Sequence, residues 1–424
     1  MKYLILIYLC LVTQAFGQFN VQQIDVGTTN DLTSIYFISD NTGFITGANG
    51  FLTKTTNGGD NWSSINSGVA TGIYEIQFVD SSTGWFVGDA GIIRKTTDGG
   101  NNWYAQNAGL TADEHVMTLC FINSQIGYVG GWPNWYSKTT NGGKTWIKYS
   151  FGTGTANTKI RFLNSEAGYV SNNGFGSKTV DGGLTWTSFP NLQNFFCNDF
   201  AFGNPGSLYV AAYQQYGVRE GRAVVYFTTN NGNNWQTKNL MDYGLPKALD
   251  VSPNGETVYQ VGWWGPLWYS GTKAYIAKST NGGEKWSEIT WNQPGSGDDM
   301  LLDVCVTNKG VFMVGWNGLL LKEVAVVGVL NNAELAPHKF YLFQNYPNPF
   351  NPTTKISYSL PTSRHVELSL YNMLGNEIYK LVDEQKNSGN YMIQFDGSKL
   401  SSGVYFYKLT AGDYTDTKKM ILMK

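Results

Sequence analysis

Short apolar runs alternate with polar, glycine-rich gaps along most of the chain. Glu75-Ile-Gln-Phe-Val79, Trp85-Phe-Val-Gly88, Ile92–Thr97 and Asn102–Gln106 are rich in β-branched and aromatic residues. The gaps between them hold Gly, Asp, Asn and Ser. This predicts four short strands joined by tight turns. Ser34–Trp62, Thr118–Trp146 and Lys159–Trp186 follow the same plan. Each unit ends in one phrase, Lys54-Thr-Thr-Asn-Gly-Gly-Asp-Asn-Trp62 in its first copy. The phrase returns at Lys95–Trp103, Lys138–Trp146, Lys178–Trp186, Phe227–Trp235 and Lys278–Trp286. Self-similarity at about 40–45 residues predicts a radial array of four-stranded sheets.

A seventh unit is incomplete. Asp303–Val306, Val311–Gly315 and Leu319–Lys322 supply three strands and stop before the phrase, while Phe19–Val26 resembles the segment after each tryptophan. The expected architecture is an all-β, seven-bladed propeller over 18–324, its last blade closed by the N-terminal strand. Such closure removes exposed sheet edges. After a linker at 325–338, a new alternating pattern over 339–424 predicts a small C-terminal Ig-like β-sandwich. Its proline-rich lead-in should form a rigid edge segment.

The phrase resembles the Asp-box of BNR-type repeats: Thr139, Asn141, Gly143, Thr145 and Trp146 match it fully. Asn57, Asn141, Asn230 and Asn281 exchange with Asp98 and Asp181, so an acceptor is needed there and a charge is not. The phrase is read as turn chemistry, anchored by Trp62, Trp103, Trp146, Trp186, Trp235 and Trp286. Among box-bearing propellers, the chain is similar to the photosystem II assembly-factor family and to sortilin-like repeats. That resemblance implies the fold and says little of function, because one fold hosts many.

The C-terminal segment resembles the type A C-terminal sorting domain of the type IX secretion system. Asn345-Tyr-Pro-Asn-Pro-Phe-Asn-Pro352, Leu374-Gly375, Ser402-Gly-Val-Tyr-Phe-Tyr407 and Lys418-Lys-Met-Ile-Leu422 carry the match. It implies export through the Sec route, recognition by the outer-membrane secretion machinery, and release or attachment at the surface of a Bacteroidetes-like cell. At the other end, Lys2, Tyr3–Val12 and Ala15-Phe16-Gly17 read as a signal peptide over 1–17. No apolar run in the mature chain is long enough to be a membrane helix.

A net charge of −2 with no basic stripe gives no electrostatic case for nucleic acid. Cys120, Cys197 and Cys305 sit at no metal-ligand spacing, and no metal or other cofactor is expected.

Departures from the repeat are the informative positions. Insertions fall between the second and third strands of three units: Trp132–Tyr136, Tyr213–Arg222 and Trp263–Tyr269. In a four-stranded meander this turn shares a face with the loops between blades and lies opposite the phrase. One rim should therefore gather Trp132, Trp135, Tyr136, Tyr213, Tyr216, Arg219, Arg222, Trp263, Trp264, Trp268 and Tyr269 with Asp113, Glu114, His115, Asp298 and Asp299. Aromatics beside charges suit a glycan or an aromatic-anchored protein interface. Alternatively, the aromatics fold inward and pack the longer loops. A sialidase-like site needs three converging arginines, and before the C-terminal domain there are only Arg94, Arg161, Arg219 and Arg222, of which Arg94 is expected near the phrase side while Arg219 and Arg222 share one loop. A glycan-active hydrolase could draw its carboxylate pair from Asp113 or Glu114 with Asp298 or Asp299. The leading reading is a binding module. The alternatives are that hydrolase and an assembly factor like the photosystem relatives.

Overall fold

The computed structural model describes residues 21–151, 157–172, 175–188, 195–204, 206–216, 221–230, 234–265, 271–291, 298–323, 340–345 and 348–423. The expected signal peptide, the linker at 325–338, Arg219, Trp268 and Tyr269 lie outside these residues. The chain divides into two compact units, one reaching Val326 and the other starting at Val327.

The first unit is built of seven four-stranded antiparallel sheets. Six are sequential meanders. The seventh joins Leu301–Thr307, Gly310–Gly315 and Leu320–Glu323 to Val21–Ile24, with Val21 opposite Glu323 and Ile24 opposite Leu320. The first strands of the sheets are Leu32–Phe37, Ile73–Phe78, His115–Phe121, Asn157–Phe162, Phe195–Phe202, Gly244–Val251 and Leu301–Thr307. They touch in succession, and the last returns to the first. The result is the propeller that the repeat predicts.

Every inner strand has a register shift at the same place, between Ile73 and Glu75 or Leu301 and Asp303, for example. A bulge re-aims the following side chain. Here it turns that side chain onto the next blade, whose inner strand has an unpaired edge. Glu75 accepts the Leu119 amide (2.9 Å), Thr118 the Ile160 amide (3.1 Å), Asp199 the Leu249 amide (3.2 Å) and Asp303 the Ile35 amide (3.0 Å). Two residues on, Gln77, Cys120 and Asp250 take the amides of Phe121, Phe162 and Val306. Polar residues thus satisfy the donors that closure around an axis leaves open. The same register explains why Cys120 and Cys305 occupy equivalent positions.

The phrase closes its turn as a short polar cage. The Thr55 hydroxyl accepts the Gly59 amide at 3.0 Å, and Asn57 Oδ1 accepts the Asn61 amide at 3.0 Å. Gly58 and Gly59 take φ of 76° and 82°, conformations that a side chain would strain. Asp98 and Asp181 make the bonds that Asn57 makes, each taking an amide four residues on at 2.9 Å.

The leading lysine of the phrase, with Lys322 at the equivalent place in the seventh blade, has a second role. Lys54, Lys95, Lys138 and Lys322 donate to the carbonyls of Gly99, Gly142, Gly182 and Gly58, the phrase glycines of the following blades. Each ammonium also lies over an aromatic ring of its own blade: Phe44, Trp85, Tyr128 and Phe312. Where Phe227 replaces the lysine, the Tyr209 hydroxyl reaches Gly282 O at 3.0 Å instead. These clasps bind blade to blade around the ring.

The second unit packs a three-stranded sheet (Tyr341–Leu342, Thr353–Leu360, Gly389–Asp396) against a four-stranded one (Glu377–Lys386, Arg364–Tyr371, Gly403–Ala411, Tyr414–Leu422). Ile356, Tyr358, Leu368, Leu370, Tyr407, Leu409, Met420 and Leu422 fill the space between them. The Asn-Pro segment seals the edge of the terminal strand. Asn348 Oδ1 accepts the Ile421 amide (2.8 Å), Phe350 N donates to Ile421 O (2.9 Å), and Met423 N donates to Phe350 O (3.0 Å). The terminal strand is therefore a structural member of the sandwich and not a loose tail.

Candidate functional site

Two loop sets meet on the face opposite the phrase turns. Ala48 N donates to Asp31 O and Gly50 N to Thr71 O. Gly91 N donates to Glu114 O, and Phe151 N to Asn134 O. Turns between second and third strands therefore rest on the loops between blades. On the other face Gly58, Gly99, Gly142, Gly182 and Gly282 tie the phrase to the first turn of each meander.

The insertions do not form long loops where they are described. They extend hairpins. In blade five Tyr213 pairs with Ala223 and Gln214 with Arg222, and in blade six Trp263 pairs with Ala274 and Trp264 with Lys273. Extra residues continue the ladder because each added pair keeps its backbone groups bonded. In blade three Gly131 pairs with Trp135 around a tight turn, with Asn134 at φ 44°.

Longer strands send part of the aromatic set inward. Trp135 and Tyr136 are only 2% and 3% exposed. Trp135 joins Trp85, Val116 and Val129 in the core, and its indole N–H donates to Trp132 O at 3.0 Å. The Tyr136 hydroxyl is bound to Gly183 O. Tyr213 and Asp299 are buried as well. These four residues correct the expectation of a rim made of all the aromatics and acids: both faces of a blade are covered by its neighbours, so Trp135 packs into one inter-blade interface and Tyr136 into the other. Asp298 caps the backbone, taking the amides of Gly271 (2.7 Å) and Thr272 (2.9 Å). Glu114 is paired with Lys148, and Asp113 is exposed.

What remains exposed falls into two groups. The first spans blades five and six. Tyr216 is exposed, and the Arg222 guanidinium lies 5.0 Å from its ring centre. Arg222 Nε is 3.4 Å from Asp242 Oδ1, and Asp242 O accepts the Trp264 indole N–H at 3.0 Å. Lys273 lies over the partly exposed Trp264 at 5.7 Å, and Trp263, next to it in the strand, is partly exposed as well. Tyr243 completes the group. It is exposed and held at φ 60° by hydrogen bonds from its own amide to Gly221 O (2.9 Å) and from the Gly265 amide to its carbonyl (3.2 Å). A bulky residue with positive φ is strained, and such strain concentrates at functional sites. Sequence reasoning did not mark Tyr243, since it lies in a joint between blades and not in an insertion. The second group, around Trp132 and His115, lies at blades two and three.

A third polar assembly, also unmarked by the sequence, occupies the axis. Glu75 receives Lys159 (2.9 Å) and Arg161 (2.9 Å) from two blades further round, and Arg161 approaches Asp199 (3.6 Å). Burial disfavours a charged Glu75, but Arg161, Lys159 and the Leu119 amide outweigh it and hold the carboxyl at about 2. Burial pushes Asp250 up to about 7, with Asp303 and Asp199 adding to the rise. Among the described residues no group of three or more His, Cys, Asp or Glu is arranged to hold a metal.

Residues 344–423 match the family described as secretion system C-terminal sorting domain, and residues 61–194 match that described as photosynthesis system II assembly factor YCF48. No curated protein is a significant sequence match. Among solved structures, YCF48 bound to D1 peptide is 17% identical, with a TM-score of 0.56 over 73% of this chain and 99% of that one. YCF48 from Cyanidioschyzon merolae is 16% identical, with a TM-score of 0.55 over 72% and 98%. The GH74 enzyme of Niastella koreensis is 14% identical, with a TM-score of 0.57 over 93% and 73%. At these identities the structures support the propeller fold alone. The chain therefore joins a YCF48-like propeller domain to a type IX sorting domain, which marks it as a secreted protein.

Proposed function

We propose that this protein is a secreted or cell-surface binding module that engages an extracellular glycan or protein through the loop-bearing rim of its propeller. The observation that carries the reading is the group of exposed Tyr216, Asp242 and Tyr243 with partly exposed Arg222 and Trp264, in which one aromatic is held in a strained backbone conformation. Flat rings that are fixed in place, with a paired Arg and Asp between them, offer contact area at little entropic cost. A peptide ligand draws support from the YCF48 structure with bound D1 peptide.

The glycan-hydrolase alternative has less support. A general acid needs a carboxyl held protonated. The Thr272 and Gly271 amides lower the pKa of Asp298. Burial acts to raise that of Glu114, but Lys148 and Thr111 bring it below its ordinary value. An assembly role like that of the photosystem relatives would require retention inside the cell envelope, whereas a sorting domain directs export.

Tyr243→Gly separates binding from folding. It removes the ring and relieves the positive φ, so stability should hold or rise by about 1 kcal/mol. Binding in a glycan-array and surface-protein screen should be lost. Unchanged binding would move the site off this group. For export, deleting Gly412–Lys424 removes the strand that buries Met420 and Leu422. The truncated protein should accumulate in the periplasm on cell fractionation, and normal surface display would refute type IX export through this domain.

A further inference from the structure

Asp89, Tyr74 and His115 form a hydrogen-bonded row at the joint of blades two and three. The Tyr74 hydroxyl donates to Asp89 Oδ1 at 2.6 Å, and His115 Nδ1 lies 2.7 Å from the same oxygen. Asp89 Oδ2 accepts the Gly72 amide at 3.0 Å. The carboxylate can only accept, so the proton it faces is on Nδ1, and in the singly protonated ring Nε2 is left as the acceptor. Among the described residues Nε2 has no hydrogen-bond partner.

Beside it stands Trp132, 45% exposed. Its ring centre is 6.0 Å from that of His115, and the two planes meet at 55°. The turn that carries Trp132 is fixed by the Trp135 indole bonded to Trp132 O, and Trp135 itself is in the core. The corner thus has one apolar wall and one wall with a single oriented acceptor. Its neighbours are polar: Glu114 is occupied by Lys148 and by the Thr111 amide and hydroxyl, and Asp113 faces water. A protein-binding hot spot places its aromatic among other apolar groups. Here the neighbours include His115, Glu114 and Asp113, and the polar partner is held by a second residue, as in sites that read hydroxyls.

We infer that Trp132 and His115 form a subsite for a neutral sugar ring, the C–H face of the pyranose stacking on the indole and one hydroxyl donating to His115 Nε2. This rests on the rim-binding reading above and assigns its ligand class at a second place on the same face. Asp89 and Tyr74 act as positioning residues that fix the imidazole.

The test is titration of the mature chain with neutral hexasaccharides (cellohexaose, laminarihexaose, maltohexaose and mannohexaose) by calorimetry. At least one should bind. Trp132→Ala should weaken it about tenfold or more, and Trp132→Phe should restore much of the loss. His115→Phe keeps a ring without the nitrogen and should weaken binding about fivefold. Melting temperatures of the Trp132 variants should stay close to the parent, since the residue is exposed at a turn and belongs to no core cluster of the described residues. If no hexasaccharide binds, or if Trp132→Ala binds as the parent does, the subsite is overturned. Sugar binding lost in Tyr243→Gly but kept in Trp132→Ala overturns the subsite and leaves rim binding standing. Binding lost in Trp132→Ala but kept in Tyr243→Gly supports the subsite and removes the blade-five group.

Discussion

Glu75→Gln should destabilise the propeller by about 3–5 kcal/mol, the cost of leaving buried charge without its partner. Glu75 takes a hydrogen bond from the Leu119 amide and meets both Lys159 and Arg161. Glutamine keeps one acceptor, turns an amide donor toward the cations, and leaves Arg161 with Asp199 at 3.6 Å as its remaining counter-charge. The pH dependence has a definite sign. The folded carboxyl, at about 2, lies below its ordinary 4.5. Its contribution is therefore complete above about 4.5 and is lost as the pH falls toward 2. Urea unfolding followed on the propeller transition should show the parent weakening across that window and the variant already weak at neutral pH. Equal midpoints at pH 7 would mean that the axial network is only decorative.

The fold was legible because the repeat is long-range information in a local form. Six copies of one phrase count the blades, and the orphan strands at Val21–Ile24 and Leu301–Glu323 find each other by elimination. The rim was legible only in part. Insertions locate the departures from the plan, but the reach of the neighbouring blades decides which side chains face water. Both faces are covered where Trp135, Tyr136 and Tyr213 stand, whereas Trp132 and Tyr216, at the ends of their strands, stay out. The axial charges were illegible for a different reason. Glu75, Lys159, Arg161 and Asp199 sit in three strands that look like ordinary alternating β-sequence, and the contact that joins them skips a blade. Tyr243 was missed because nothing in its neighbours shows the φ that the hairpin ends impose.

Asp250 sits on the same axis and should act in the opposite direction. Its two oxygens accept the amides of Val251 and Val306, both at 2.8 Å. Those bonds favour the anion, yet burial dominates and, with Asp303 and Asp199 nearby, holds the group at about 7 against an ordinary 3.8. A carboxyl raised in the fold stabilises fully below the unfolded value and loses that contribution as the pH rises through the folded one. At 1.36 kcal/mol per unit the loss between pH 4 and 8 is at most about 4 kcal/mol. Glu288, also raised to about 7 by burial, adds a loss of the same sign, so the diagnostic quantity is the change in slope and not the slope itself. Asp250→Asn cannot ionise, and its amide nitrogen faces one of the two donors. The variant should therefore be less stable than the parent at pH 5, by about 1–3 kcal/mol for the lost acceptor. It should fall less steeply with pH and draw level with or pass the parent by pH 9. Parallel stability–pH curves for the two proteins would show that Asp250 ionises freely in the fold. The axis would then hold its acids by water and not by the balance of Lys159 and Arg161 against four carboxylates.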